Sequence, residues 1–159
     1  MNVAGRSAAA GHSGSESGEQ TLDPVQAQKF LSTNHHAVLH TFREDGRPHV
    51  SPVIVALDGA NRVVLSTTQT RVKTRNLRRD PRVAACVFAD RFVGPWVQVE
   101  GTAEVLAPEK ALDAEALTNL HRALSAERPD WETFVSSIHA DGRVVIRFAI
   151  ERASGVIEP

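Results

Sequence analysis

Residues 66–82 read Ser-Thr-Thr-Gln-Thr-Arg-Val-Lys-Thr-Arg-Asn-Leu-Arg-Arg-Asp-Pro-Arg, between the apolar runs of residues 63–65 and 83–88. Within it, residues 71–82 carry six cations (Arg71, Lys73, Arg75, Arg78, Arg79, Arg82) against one acid, Asp80. That is +5 in a chain whose formal charge is −1, so the remainder sums to −6. A strand that ends in hydroxyls and feeds a basic helix is suited to gripping phosphate. Hydroxyls donate, Arg forks pair bidentately with anionic oxygens, and a helix N-terminus adds its dipole. The helix is predicted from about residue 70 to residue 80, where Pro81 ends it. A run of like charges repels itself, and a bound anion relieves that repulsion.

Upstream, Asp23 is a good N-cap and Pro24 suits a first helical position, so a short helix should run to about Leu31. Residues 37–42 and 49–57 read as the strands of a hairpin around Asp45-Gly46. With those two residues at the centre of the turn, Phe42 should face His49, and His40 should face Ser51. Pro52 cannot donate to a ladder, which asks for an edge or a bulge there. Residues 62–67 form the third strand, and residues 83–89, apolar without alternation, a strand buried on both faces.

Residues 96–106 give the clearest alternation: Val97, Val99, Ala103 and Val105 on one face, Gln98, Glu100, Thr102 and Glu104 on the other. Gly101 interrupts it as a candidate bulge. Trp96 falls on the polar face, an unusual place for a large aromatic. A helix from Pro108 should carry Leu112, Ala116, Leu117, Leu120 and Leu124. A second, capped by Asp130, has Trp131, Phe134, Val135 and Ile138 at amphipathic spacing. Residues 144–150 make the last strand. Six strands in hairpin succession with late helices imply a mainly β (α+β) domain: a six-stranded antiparallel barrel with peripheral helices. Residues 1–21, rich in Gly, Ser and Ala, should form a disordered tail, leaving residues 22–159 as the domain.

Composition narrows the function. The chain has 159 residues, 42% hydrophobic and 23% charged, as in an ordinary soluble domain. No apolar stretch approaches a membrane span and no signal peptide is visible, so no membrane partner and a cytoplasmic location are expected. The single cysteine, Cys86, reads as a small core residue. Only 5% of residues are aromatic and none is Tyr, which supplies nucleic acid poorly with stacking platforms. The seven histidines form no ligand spacing such as H-E-x-x-H, although His36 and His40 share a strand face that His49 could join; no metal is expected. Walker, G-x-G-x-x-G and G-x-S-x-G patterns are all missing, as is any assignable catalytic acid or base.

Two motifs carry a family resemblance: Asp45-Gly-Arg-Pro-His-Val-Ser-Pro-Val53 in the hairpin, and Arg71-Val-Lys-Thr-Arg-Asn-Leu-Arg-Arg-Asp-Pro-Arg82. With the strand of residues 83–88 and Trp96-Val-Gln-Val-Glu-Gly101 after them, the chain resembles the pyridoxamine 5′-phosphate oxidase-like split-barrel family over residues 24–152. It is most similar to the actinobacterial branch of flavin- and deazaflavin-dependent oxidoreductases that use coenzyme F420. The resemblance implies an FMN-binding-like split β-barrel and a homodimer with cofactor at the subunit interface. It implies a phosphate held by Ser66, Thr67, Arg71 and Lys73, supported by Asn76, Arg75 and Arg79. The cofactor ring would lie along His49, Val50, Ser51, Pro52 and Val53, capped by Trp96. The C-terminal residues lack the Arg- and His-containing substrate motif of a true pyridoxamine phosphate oxidase, so vitamin B6 chemistry does not carry over.

Both FMN and F420 offer a phosphate to this grip, but F420 extends into a polycarboxylate tail. Cations beyond Arg71 and Lys73 therefore favour F420, with FMN as the alternative. The expected activity is hydride transfer from reduced deazaflavin to a small electron-poor substrate. A non-catalytic F420 or flavin carrier or sensor is the rival reading.

Overall fold

The computed structural model describes residues 18–124 and 128–158. Among these residues ten strands make two antiparallel sheets. The first is six-stranded, in the order β1 (Gln20–Leu22), β10 (Arg152–Val156), β7 (Trp96–Thr102), β6 (Arg82–Phe88), β2 (His36–Phe42), β3 (Pro48–Ile54). The second is four-stranded: β4 (Ala56–Leu57), β5 (Val63–Thr68), β9 (Arg143–Phe148), β8 (Glu104–Leu106). Helices α1 (Pro24–Leu31), α2 (Val72–Arg79), α3 (Pro108–Ala111), α4 (Ala114–Ala123) and α5 (Trp131–Ile138) lie around them. This is the mainly β split barrel expected, built from more and shorter strands.

The extra strands come from the chain changing sheets. The return strand of the hairpin breaks at Val55, whose N–H bonds to His35 O, and residues 56–57 join the second sheet. The alternating run breaks at Ala103, whose N–H bonds to Pro81 O. After β9 the chain crosses back, with Glu151 N–H on Glu100 O, to lay down β10. Gln20 and Thr21 then pair with β10, so the expected tail border at residue 21 falls inside a strand; residues 1–17 lie outside those described. Gly101 is no bulge, since β6 and β7 pair in unbroken register through it. A Cβ there would sit 2.3 Å from Ala149 O, so the glycine permits a close backbone approach at the crossing.

Two apolar clusters follow from this division. Leu39, Val55, Leu65, Val87, Val97, Val99, Ile146 and Phe148 fill the space between the sheets. Val64 and Val145 face the other way and pack under Leu120, Phe134 and Ile138 of α4 and α5. The helix expected from Pro108 is two helices, because Asp113 caps Ala116 N–H and restarts the chain as α4. Strand β6 is buried on one face and half-buried on the other, correcting the expectation of burial on both. Cys86 belongs to that half-buried face, not to the core, and burial pushes its thiol pKa up.

The hairpin register differs by one residue from expectation. Arg43 and Arg47 close a loop of Glu44, Asp45 and Gly46, with Arg43 N–H on Arg47 O and Gly46 N–H on Arg43 O. Gly46 at φ 84° takes the left-handed position that a three-residue hairpin loop requires. Consequently Phe42 faces Pro48, Thr41 faces His49, His40 faces Val50 and Leu39 faces Ser51. One residue of slip exchanges the faces of a strand. His49 therefore leaves the face of His36 and His40 and joins that of Thr41. Pro52 lies on β3, an edge strand, as its missing donor demands.

Candidate functional site

The basic stretch folds as the hydroxyl pattern indicated: strand, tight turn, helix. Gln69 N–H bonds to Gly142 O, Arg71 N–H to Thr68 O, and Thr74 Oγ1 donates to Thr68 O at 2.8 Å. These contacts fold the start of α2 back over the end of β5. Arg71 is the N-cap, and its side chain makes no cap hydrogen bond. No acid occupies the first turn of the helix, so its positive end is uncompensated.

Lys73, half-buried at this end, faces Arg71. Burial and then the Arg71 charge hold the Lys73 pKa below its ordinary value. Arg143, at the start of β9 opposite Thr68, reaches the same place and donates from Nη2 to Ser66 Oγ at 2.6 Å. Its pKa is lowered too, by burial and then by Arg71. Among the described residues none of these three cations has an ion-pair partner. Three buried polar atoms also have no hydrogen-bond partner: His49 Nδ1, Ser51 Oγ and Arg143 Nε. The His49 pKa is lowered, by burial and then by Arg43 and Lys73. Buried polar groups are seldom left unpaired in folded proteins. Arg143 Nε, within the cluster of cations, fits a ligand rich in oxygen acceptors, and a phosphate in particular.

A cavity of about 630 Å³ opens beside this cluster. Ser66, Lys73 and Arg143 line one end. The edge strand supplies Pro52, Val53 and Ile54, and α4 and α5 close the other side with Leu120, Leu124, Phe134, Ser137 and Ile138. Four residues expected at the site, Pro52, Val53, Ser66 and Lys73, thus share one cavity. His49 and Ser51 contribute the unpaired atoms on the adjoining face of β3. Val50 points to the opposite face and is 62% exposed. Thr67 alternates with Ser66, and so points with Leu65 toward the core.

Asn76 and Arg79 are engaged elsewhere. Asn76 is buried and donates to Thr41 Oγ1 at 3.0 Å, while Arg79 donates to Phe42 O and to Asn76 Oδ1. Together they brace α2 against β2. Arg82 is tied to Asp80 at 2.6 Å and lies over the Phe42 ring, which holds the Asp80 carboxyl at about 2. The run of extra cations is thereby reduced to Arg75 and Arg78. Both are exposed and, with Arg71, fall at i, i+4 and i+7 on one helix stripe. Trp96 is not at the cavity. It pairs with Phe88 across β6, and it is Phe88 that lines the cavity. Arg143 lacks any local signal in the sequence; only the long-range pairing of β5 with β9 brings it to Ser66.

Comparison with known proteins bears on the fold that carries this cavity. Residues 24–157 match the pyridoxamine 5′-phosphate oxidase family. The chain belongs to that family. Solved structures share the fold of this family member. A conserved hypothetical protein of Mycobacterium tuberculosis is similar at 24% identity and TM-score 0.67, over 83% of this chain and 82% of that one. An F420 reductase is similar at 24% identity and TM-score 0.58, over 79% and 94%. A FAD-binding protein of Mesorhizobium loti is similar at 23% identity and TM-score 0.58, over 86% and 96%. At these identities the likeness is one of fold. Among the described residues no helix is long and apolar enough to cross a membrane.

Proposed function

We propose that this family member is a cytoplasmic F420-dependent reductase, working as a homodimer with cofactor at the subunit interface. The observation that carries the reading is the set of cations without an ion-pair partner among the described residues, Arg71, Lys73 and Arg143, the last with an orphaned Nε, continuous with the exposed stripe of Arg75 and Arg78. The first part fits a phosphate. The second offers charge to an anionic tail, which F420 has and FMN lacks. That an F420 reductase shares the fold over most of its length adds support.

In this reading Lys73, Arg71, Arg143 and Ser66 hold the phosphate. The edge strand, residues 49–53, orients the ring against its backbone, and the α4–α5 wall excludes water. Bound there, the deazaflavin supplies two-electron hydride chemistry, leaving the protein to position and shield it.

Titration with F420 and with FMN tests the proposal. Arg71→Ala and Lys73→Ala should weaken both, each by roughly 10–150-fold if a charge-assisted bond of about 1.5–3 kcal/mol is lost. The double variant Arg75→Ala/Arg78→Ala should weaken F420 and leave FMN unchanged. Saturable FMN binding with none for F420 would overturn the F420 assignment. F420 binding without reduction of any quinone or enone in a broad panel would turn the reading to a carrier.

A further inference from the structure

The cavity has two chemically different ends, and the second is not explained by gripping a phosphate. Away from Ser66, Lys73 and Arg143, its wall is Leu120, Leu124, Phe134 and Ile138 from α4 and α5, faced by Phe88 of β6. Among the described residues no carboxylate lines the cavity, and its two cations, Lys73 and Arg143, both stand at the phosphate end. Phe88 does not end the apolar surface. Its ring lies 5.8 Å from that of Phe92 in the β6–β7 connection, and Phe92 is 80% exposed. Val93 beside it is exposed as well. An aromatic left in water next to a cavity-lining aromatic costs hydration without a packing return, unless something planar covers it.

We infer that this apolar end is the acceptor subsite. It takes an uncharged, apolar, ring-containing molecule, with the Phe88–Phe92 pair as the lip that selects it. The inference rests on the reductase reading above, and it narrows the substrate to molecules without an ionised group. An anionic or cationic acceptor would have to leave its charge unpaired among leucines and phenylalanines, which is strongly unfavourable. A neutral one gains contact with rings on one side and aliphatic side chains on the other. Phe92, whose one ring contact among the described residues is with Phe88, sets how large an apolar face is accepted.

The test uses two fluorescent probes that share one aromatic frame and differ in charge: neutral N-phenyl-1-naphthylamine and anionic 1-anilinonaphthalene-8-sulfonate. Each is titrated into the full chain with saturating inorganic phosphate, so that the cationic end is occupied. The neutral probe should bind at one site per chain, and the sulfonate at least about tenfold more weakly, since tenfold is only ~1.4 kcal/mol against an unpaired buried charge. Phe92→Ser, at an exposed position, should weaken the neutral probe by roughly 3–10-fold, the value of one aromatic contact. Leu124→Glu should do so more strongly, and Phe92→Ser should leave affinity for F420 unchanged. Equal binding of the two probes, or neutral binding untouched by both variants, overturns the subsite. Because probe binding needs no deazaflavin, failure of F420 to bind the wild-type chain overturns the reductase reading separately.

Discussion

Lys73 is the residue at which stability and function pull in opposite directions. Its ammonium is half-buried, has no acid partner among the described residues and feels the charge of Arg71, so the folded apo protein holds a charge it would be easier to lose. Lys73→Met removes that charge and keeps the aliphatic stem. The apo variant should therefore melt no lower than the wild type, while F420 affinity falls, a divergence read by thermal unfolding with and without cofactor. A Lys73 that served only the fold would lose stability on the same substitution. His49 and His35 give a second handle. Both have pKa values below the ordinary 6.5, in each case chiefly through burial. A folded pKa below the unfolded one means that the unfolded chain binds more protons in the interval between them, so stability rises with pH there. Melting temperature should accordingly drop as pH falls through 6.5, and His49→Gln should flatten part of that slope; a profile unchanged in the variant would remove His49 from the account.

At the scale of elements, α2 combines a binding edge with a structural face. Arg71, Arg75 and Arg78 are exposed along one stripe; Thr74, Asn76 and Leu77 are buried on the other. Asn76 bridges Thr41 and Arg79, both on the β2 side of the helix. Asn76→Ala would leave the Thr41 hydroxyl without that partner, at a cost of about 1–3 kcal/mol, or roughly 2–10 °C in melting temperature. Calorimetry should show that loss, with F420 affinity reduced far less than by Lys73→Ala. The reverse ranking would make Asn76 a direct ligand. This element was legible in the sequence because its signals are local: hydroxyls, a charge run, then Pro81. The alternation of Val97 and Val99 was legible for the same reason. What was not legible depends on distant partners. The pairing of β5 with β9 delivers Arg143, and the crossings at Val55 and Ala103 turn long apparent strands into two sheets. The hairpin slipped by one residue because Asp-Gly serves a three-residue loop as well as a two-residue one. That slip alone moved His49 from the face of His36 and His40 to that of Thr41.

On the scale of the whole molecule, the outer face of the six-stranded sheet is what the single chain leaves unfinished. Val38, His40, Ala84, Cys86, Phe88, Trp96 and Gln98 are all half-buried there, and Val50 stands clear at the edge strand. Polar-out alternation, the usual mark of a sheet that faces water, is weak across these positions. A second copy of the chain is the occupant proposed above. Val50→Glu places a charge on this face at a position already exposed in the monomer, so folding should be unaffected. Sedimentation velocity should find the wild type at twice the mass of one chain and Val50→Glu shifted toward a single chain, with matching circular dichroism. If the cofactor site is shared between subunits, F420 affinity should fall in step with dissociation, and recover as protein concentration is raised. A wild type that sediments as one chain while binding F420 at full stoichiometry would show the site to be complete within a single subunit.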